Sequence, residues 1–367
     1  MHNNKRMLDT SFSIGNVTIK NRLVRSATYE FAADNGQITP QIIALYKTLA
    51  AGGCGLLISG MQAVSAGAGI SPAMVSVASA HYVEAMSHLV DEVHSKGSSI
   101  FIQLNHGGYR TDWRHGYDRF GVSPKQVAED CLYHEMTEKE IYSVIEAFGA
   151  AAKCCQQAGC DGVQIHAAHG FLINSFLSPY FNQRMDCYGG TIENRARLLF
   201  AIYDSIRTAV GHDFPIGIKI PFSDLVAPSI TLEESIWVCQ KLADKGLDMI
   251  EVSAGVTMDG GESSFSPIIQ DSSQEGKFLA GAVQIANSVE IPVISVGTYR
   301  SPDFIEKVLQ ETPIAAVALC RPLICEPNLL ERWQTDRSPT VCVSCNLCYR
   351  SQGIISCQRQ KIIDKDL

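Results

Sequence analysis

Eight short apolar runs, each followed by helical signals, constrain this chain more than any other feature of it. They lie at 22–28, 55–60, 99–105, 162–167, 216–220, 248–253, 292–297 and 315–320. They are rich in Val, Ile and Leu and show little apolar–polar alternation, which suits strands buried on both faces. Parallel strands need long crossovers, and the segments between these runs read as helices. Eight such units in about 300 residues favour a closed (β/α)8 TIM barrel over an open doubly wound sheet.

Local chemistry sets the punctuation. Helices are expected at 40–51, stopped by Gly52-Gly53, and at 79–96, stopped by Gly97. Thr137 with Glu140 and Thr231 with Glu234 form capping boxes that open helices running to 159 and 245. Further helices are expected at 191–210 and 275–288, and Ser301-Pro302 opens another with proline at its first position. Gly15-Asn16 predicts a hairpin turn within 12–21. The stretch 106–136, with Tyr109, Trp113, Tyr117 and Phe120, reads as a long lid-like loop, and 254–266 as a Gly/Ser-rich loop. The chain divides into a barrel, 1–335, and a cysteine-containing tail, 336–367.

Composition narrows the function classes. A net charge of −8 without a basic run disfavours nucleic acid and anionic membrane as partners. No window offers the roughly 18 consecutive apolar residues of a membrane span. Thirteen cysteines, with no signal peptide in MHNNKRMLDTSF, predict a reducing, cytoplasmic setting. Cys54, Cys154, Cys239 and Cys320 sit in apolar surroundings and read as buried free thiols. A small-molecule substrate and a homo-oligomer are expected.

In such a barrel the chemistry belongs at the C-terminal strand ends. Those ends carry Ser26, Ala27, Thr28, Gly60, Gln103, His166, His169, Lys219, Ser253, Gly297, Arg300, Cys320 and Arg321. The ends of strands seven and eight are the usual phosphate site of the fold, and Gly297, Arg300 and Arg321 suit an anion. Gln103 offers a donor and an acceptor to an imide edge. Lys219 offers a fixed cation to a ring that gains electrons. Together these describe a flavin mononucleotide site. His166 and His169 suggest a pair of donors to a carbonyl oxygen, although two satisfied histidines or half a zinc site would show the same spacing. No GxGxxG follows the first strand, and neither a P-loop nor an HExxH motif occurs. Cys342, Cys345, Cys348 and Cys357 are dense enough to hold a 4Fe-4S cluster or zinc, and would otherwise be four thiols on a tail.

With these residues in view, the chain resembles the old yellow enzyme family of FMN-dependent ene-reductases. HAAHGFLINSFLSPYFNQRMDCYGGTIENRAR is its strongest stretch, and KNRLVRSAT, IFIQLNHGG, GIKI, VISVGTYR and ALCRPL follow the family's order. The resemblance implies FMN held by Ser26, Ala27, Thr28, Gly60, Gln103, Lys219, Gly297, Arg300, Cys320 and Arg321. It implies NAD(P)H as reductant, an α,β-unsaturated carbonyl compound as acceptor, and His166 and His169 on the substrate oxygen. Thr28 would tune the flavin by hydrogen bonding. The tail resembles the branch of 2,4-dienoyl-CoA reductase and trimethylamine dehydrogenase, whose second nucleotide-binding half does not follow in these 367 residues. Its third and fourth cysteines stand closer than in that pattern. The family's tyrosine proton donor falls at Phe171, Lys219 replaces a commoner arginine, and Cys320 a glycine. Oxidative chemistry of the amine dehydrogenase or demethylase kind, or a non-catalytic electron-transfer subunit, are the rival expectations.

Overall fold

The computed structural model describes residues 6–256, 268–269, 271–351 and 353–359. Eight parallel strands close into a barrel: β1 Leu23–Arg25, β2 Leu56–Ile58, β3 Ser99–Asn105, β4 Gly162–His166, β5 Ile216–Pro221, β6 Met249–Ser253, β7 Val293–Val296 and β8 Ala316–Leu319. Each pairs with the next, and β8 pairs with β1, so no edge is left among them. The crossovers are the expected helices, among them α1 Pro40–Ala51, α2 Tyr82–His94, α3 Glu138–Gln157, α4 Arg197–Val210 and α5 Leu232–Asp244. Both capping boxes are formed, with Thr137 and Thr231 each exchanging hydrogen bonds with the glutamate three residues on.

Two apolar layers hold this architecture. Odd and even positions of each strand face opposite ways, so Leu23 packs toward the helices while Val24 points inward. Inward-facing Val24, Ile58, Phe101, Met249 and Ile294 fill the barrel axis. The hairpin of Phe12–Ile14 and Val17–Ile19 packs Ile14 and Ile19 on that cluster and closes the end away from the site. The closed end is apolar and the open end polar, which confines ligands to the open end.

Three local expectations change. The stretch 106–136 is structured: Phe120–Gly121, Lys125–Ala128 and Cys131–Glu135 form a small sheet. Buried Tyr109 and Tyr133 anchor it, which a polar sequence with scattered aromatics does not announce. The helix expected over 191–210 breaks between Ile192–Arg195 and Arg197–Val210. Arg195 is buried and bonds the Leu177 carbonyl and Glu234, so the chain turns to deliver it. The helix expected from 275 starts later, as α6 Leu279–Ala286, because Glu275 is drawn away to the start of α7 Pro302–Glu311. A short buried helix, Leu172–Leu177, was not expected. Most of 254–266 lies outside the described residues.

Candidate active site

A cavity of about 320 Å³ opens at the C-terminal strand ends. Ser26, Ala27, Thr28, Gln103, His166, His169, Lys219, Gly297, Cys320 and Arg321 all line it. Gly60 and Arg300 do not. The Gly60 amide points at Glu30 and the Tyr46 hydroxyl beneath the wall, and a side chain there would collide with Glu30. The Arg300 guanidinium turns to the carbonyls of Ile269 and Thr340.

Under the cavity floor runs a buried polar chain. Gln103 donates to the Gln164 side chain (2.7 Å), which donates to Glu251 (2.8 Å). Glu251 also receives Ser26 (2.6 Å) and the Lys219 ammonium (2.9 Å), and Lys219 reaches Ser26 as well (2.8 Å). Register explains the contacts: Gln103 pairs with Gln164 across β3 and β4, and Lys219 with Glu251 across β5 and β6. Glu251 is 0% exposed, so its charge is tolerable only because Lys219 matches it and hydrogen bonds fill its lone pairs. Gln164 and Glu251 went unnoticed in the sequence. The available signal was one polar residue at an inward position of each apolar run.

On one side of the floor stand the histidines. His166 Nδ1 lies 3.0 Å from Asn105 Oδ1, His166 Nε2 lies 3.3 Å from His169 Nδ1, and His169 Nε2 lies 2.8 Å from the Ser253 hydroxyl. His169 adopts φ +65, a region a histidine seldom enters, just where β4 gives way to its loop. Burial, with the cations Lys219 and Arg110 nearby, holds both imidazoles well below their usual pKa. They are therefore neutral at neutral pH, able to orient an oxygen by hydrogen bonding. Phe171 packs on His166 with ring centres 4.6 Å apart. The Arg110 guanidinium lies over Phe171, 4.6 Å from its centre, and burial lowers its pKa to about 10. Arg110 also lines the cavity and was missed, because a lone arginine in an apparent loop carries no pattern.

At the opposite side, Gly297 (φ +126) and Thr298 (φ +60) bend the chain after β7. The amides of Arg300 and Ser301, just ahead of α7, are taken by Glu275 at 2.7 and 2.9 Å. An anion at this side must therefore rely on the backbone bend and on Arg321. Arg321 lines the cavity, and its guanidinium is steadied by Asn346 Oδ1 at 2.6 Å. The Thr28 hydroxyl donates to the Ser26 carbonyl, receives Arg25, and lies 3.0 Å from Cys320 Sγ.

The tail folds back onto the barrel through Thr340 N to Arg300 O (3.0 Å) and Ile355 N to Glu30 O (2.9 Å). It adds Ser344 and Tyr349 to the cavity wall. Cys342, Cys345, Cys348 and Cys357 line a separate pocket of about 20 Å³, together with Cys325 from the barrel. That pocket is little larger than one water needs. Among the described residues no three potential ligands converge as a metal site. Burial pushes the Cys348 thiol up to about 12 and raises Cys342, so these thiols are protonated.

The NADH:flavin oxidoreductase / NADH oxidase family matches residues 8–339. The chain belongs to that family. NADH oxidase of Thermoanaerobacter brockii is 33% identical over 342 residues, covering 91% of this chain and 52% of its own length. The chain thus spans about half the length of that relative. NADPH dehydrogenase of Clostridium acetobutylicum is 33% identical over 322 residues, covering 86% of this chain and 91% of its own. Among solved structures, a 2-naphthoyl-CoA reductase complex superposes with a TM-score of 0.83 at 26% identity, over 91% of this chain and 53% of that one. Morphinone reductase, at 22% identity and a TM-score of 0.77 over 93% and 92%, shares the barrel. The family supports FMN and a nicotinamide reductant as the cofactors. Among the described residues no helix is long and apolar enough to cross a membrane.

Proposed function

We propose that this barrel binds FMN and reduces the activated C=C bond of an α,β-unsaturated carbonyl compound with electrons from NAD(P)H. The observation that carries the reading is the polar chain from Gln103 to Lys219 under a cavity whose substrate side holds two neutral imidazoles. The donor set suits FMN. Gln103 and Lys219 would meet the ring, and the backbone at Gly297, the Cys320 turn and Arg321 would meet the phosphate. When bound, FMN supplies hydride transfer in both directions.

The chain's own residues do the rest. Glu251 holds the Lys219 ammonium in place at the cavity floor, where it would stand beside the ring. His166 and His169 hold the substrate oxygen, which requires their mutual contact to open. Phe171 has no O–H, so the proton for the second carbon comes from elsewhere. Tyr29 is among the lining residues; its hydroxyl lies 2.6 Å from Ser71 Oγ, and burial raises it to about 12, which keeps it protonated. The Tyr109 hydroxyl is turned away to the Ser123 carbonyl. No step runs through the cysteine tail.

Phe171 also favours a second reading, in which an amine is oxidised and no such proton is needed. Two similar proteins bear names of that kind, an N,N-dimethylglycine/sarcosine dehydrogenase and a histamine dehydrogenase. An anaerobic titration separates the readings: NADH or NADPH should bleach the flavin and an enone should restore it, whereas bleaching by an amine alone supports the second. A flavin that neither reduces would point to an electron-transfer subunit. Phe171→Tyr should accelerate reoxidation by the enone up to the ~10²–10⁴-fold of a positioned general acid. No gain in the mutant, with wild type still reoxidised by the enone, would mean that the proton is delivered efficiently by another route; wild type that no enone reoxidises would remove ene-reduction.

A further inference from the structure

We infer that Asn105 is a positioning residue for the histidine pair: its side-chain amide donates to His166 Nδ1 and so fixes the ring proton on Nε2. The role of that proton rests on the proposed binding of a substrate oxygen. Asn105 is the last residue of β3 and is 0% exposed, and its Oδ1 lies 3.0 Å from His166 Nδ1. Its Nδ2 is buried and finds no partner among the described residues. Two orientations of this amide fill the same space, and half a turn exchanges oxygen and nitrogen. With Oδ1 toward the ring, both N–H bonds of Nδ2 are left buried without an acceptor. With Nδ2 toward the ring, one of them meets the Nδ1 lone pair, and a carbonyl oxygen takes the unpaired place. Buried N–H groups without partners are the rarer of the two defects, and leaving them so is costly.

The chemistry of the pair points the same way. A neutral imidazole has one donor nitrogen and one acceptor nitrogen, and a carbonyl oxygen can only accept. His166 therefore serves a substrate oxygen only with its proton on Nε2, which leaves Nδ1 bare and in need of a donor. Asn105 is the group that meets Nδ1. The order then passes along the printed contacts of the chain. His169 Nδ1, 3.3 Å from His166 Nε2, accepts from it, and the His169 proton falls on Nε2, 2.8 Å from the Ser253 hydroxyl. Both Nε2 atoms then carry the hydrogens that an incoming oxygen needs. With the amide reversed, both would be bare, and the pair would repel that oxygen.

NMR of oxidised, flavin-loaded protein with isotope-labelled histidine nitrogens tests this, because a protonated ring nitrogen resonates far from a bare one. His166→Asn identifies the His166 signals by their loss. In wild type, His166 Nε2 should be protonated and Nδ1 bare but hydrogen-bonded. Asn105→Leu, which neither donates nor accepts, should move the Nδ1 signal to the position of an unbonded nitrogen. A proton on Nδ1 in wild type would overturn the inference, and that spectrum needs no variant to fold. An Nδ1 signal that Asn105→Leu leaves in place would overturn it as well. Titration with para-chlorophenol, read as a long-wavelength charge-transfer band of the flavin, gives the functional arm. Asn105→Leu should bind this probe about two- to tenfold more weakly, the range of one ordinary hydrogen bond, and unchanged affinity would count against the positioning role. Enone-dependent reoxidation of wild type reports separately on the reaction. If an enone reoxidises the flavin while Nδ1 carries the proton, only this inference falls. If none does while Nε2 carries it, the reaction falls and the assignment of Asn105 stands.

Discussion

The floor of the barrel and the cysteine tail are both dense in polar or reactive groups, yet they are built oppositely. Under the cavity, Gln103, Gln164, Glu251, Lys219 and Ser26 meet at 2.6–2.9 Å on strands whose register fixes them. At the tail, four of its thiols and Cys325 of the barrel share one small pocket, and among the described residues no three of them converge as a metal site. The first arrangement is preorganised before any ligand arrives. The second gathers its thiols without a hydrogen-bonded frame that would fix them toward one point. Density of functional groups along a sequence therefore says little, whereas placement on rigid strands says much.

The largest effect should come from breaking the floor. Lys219→Met leaves Glu251 buried and unmatched, a change that costs about 3–5 kcal/mol for buried ion pairs. Urea denaturation should show that loss, and the Lys219→Met/Glu251→Leu double mutant should recover most of it. A single mutant within about 0.5 kcal/mol of wild type, the usual range for surface changes, would mean the pair is not preorganised.

A middling effect is expected where the two regions touch. Arg321→Ala should weaken FMN binding by about 1.5–3 kcal/mol, as for a lost charge-assisted hydrogen bond. Asn346→Ala removes one tail oxygen that steadies this guanidinium and leaves the Ser344 carbonyl in place. Its loss should be about 1 kcal/mol or less, as for an ordinary hydrogen bond. Fluorescence titration of apoprotein with FMN measures both. Equal losses would make the tail a full partner in flavin binding and erase the contrast.

The same contrast explains what could be read in advance. The eight strands were legible because burial on both faces leaves unbroken apolar runs, and all eight fall where those runs lie. The strand-end rule located the cavity and most of the polar side chains that the strands bring to it. Gly60 and Arg300, which it also names, lie outside that lining, since the rule ignores which way a residue points once the strand has ended. It missed Gln164 and Glu251 for the converse reason: each is a single polar residue, and its meaning appears only when neighbouring strands are set in register. Arg110 reaches the site from a loop whose small sheet has no clear alternation. The cysteines were conspicuous, but spacing along a chain does not fix convergence.

The smallest effect is expected from removing metal. The tail is tied to the barrel by hydrogen bonds that need no ion, among them Thr340 N to Arg300 O and Ile269 N to Val343 O, both 3.0 Å. Its contribution to the cavity wall, Ser344 and Tyr349, lies on the same docked segment. Chelation under anaerobic, reducing conditions should therefore leave flavin content unchanged and move the unfolding free energy by no more than about 0.5 kcal/mol. Iron and acid-labile sulfide measured beforehand give the other half of the test. About four of each per chain, the content of a cubane cluster, with flavin lost on chelation, would show that the thiols gather around metal and organise the mouth with it. Four irons lost without loss of flavin would place a cluster in the tail and still leave the floor as the part that holds the cofactor.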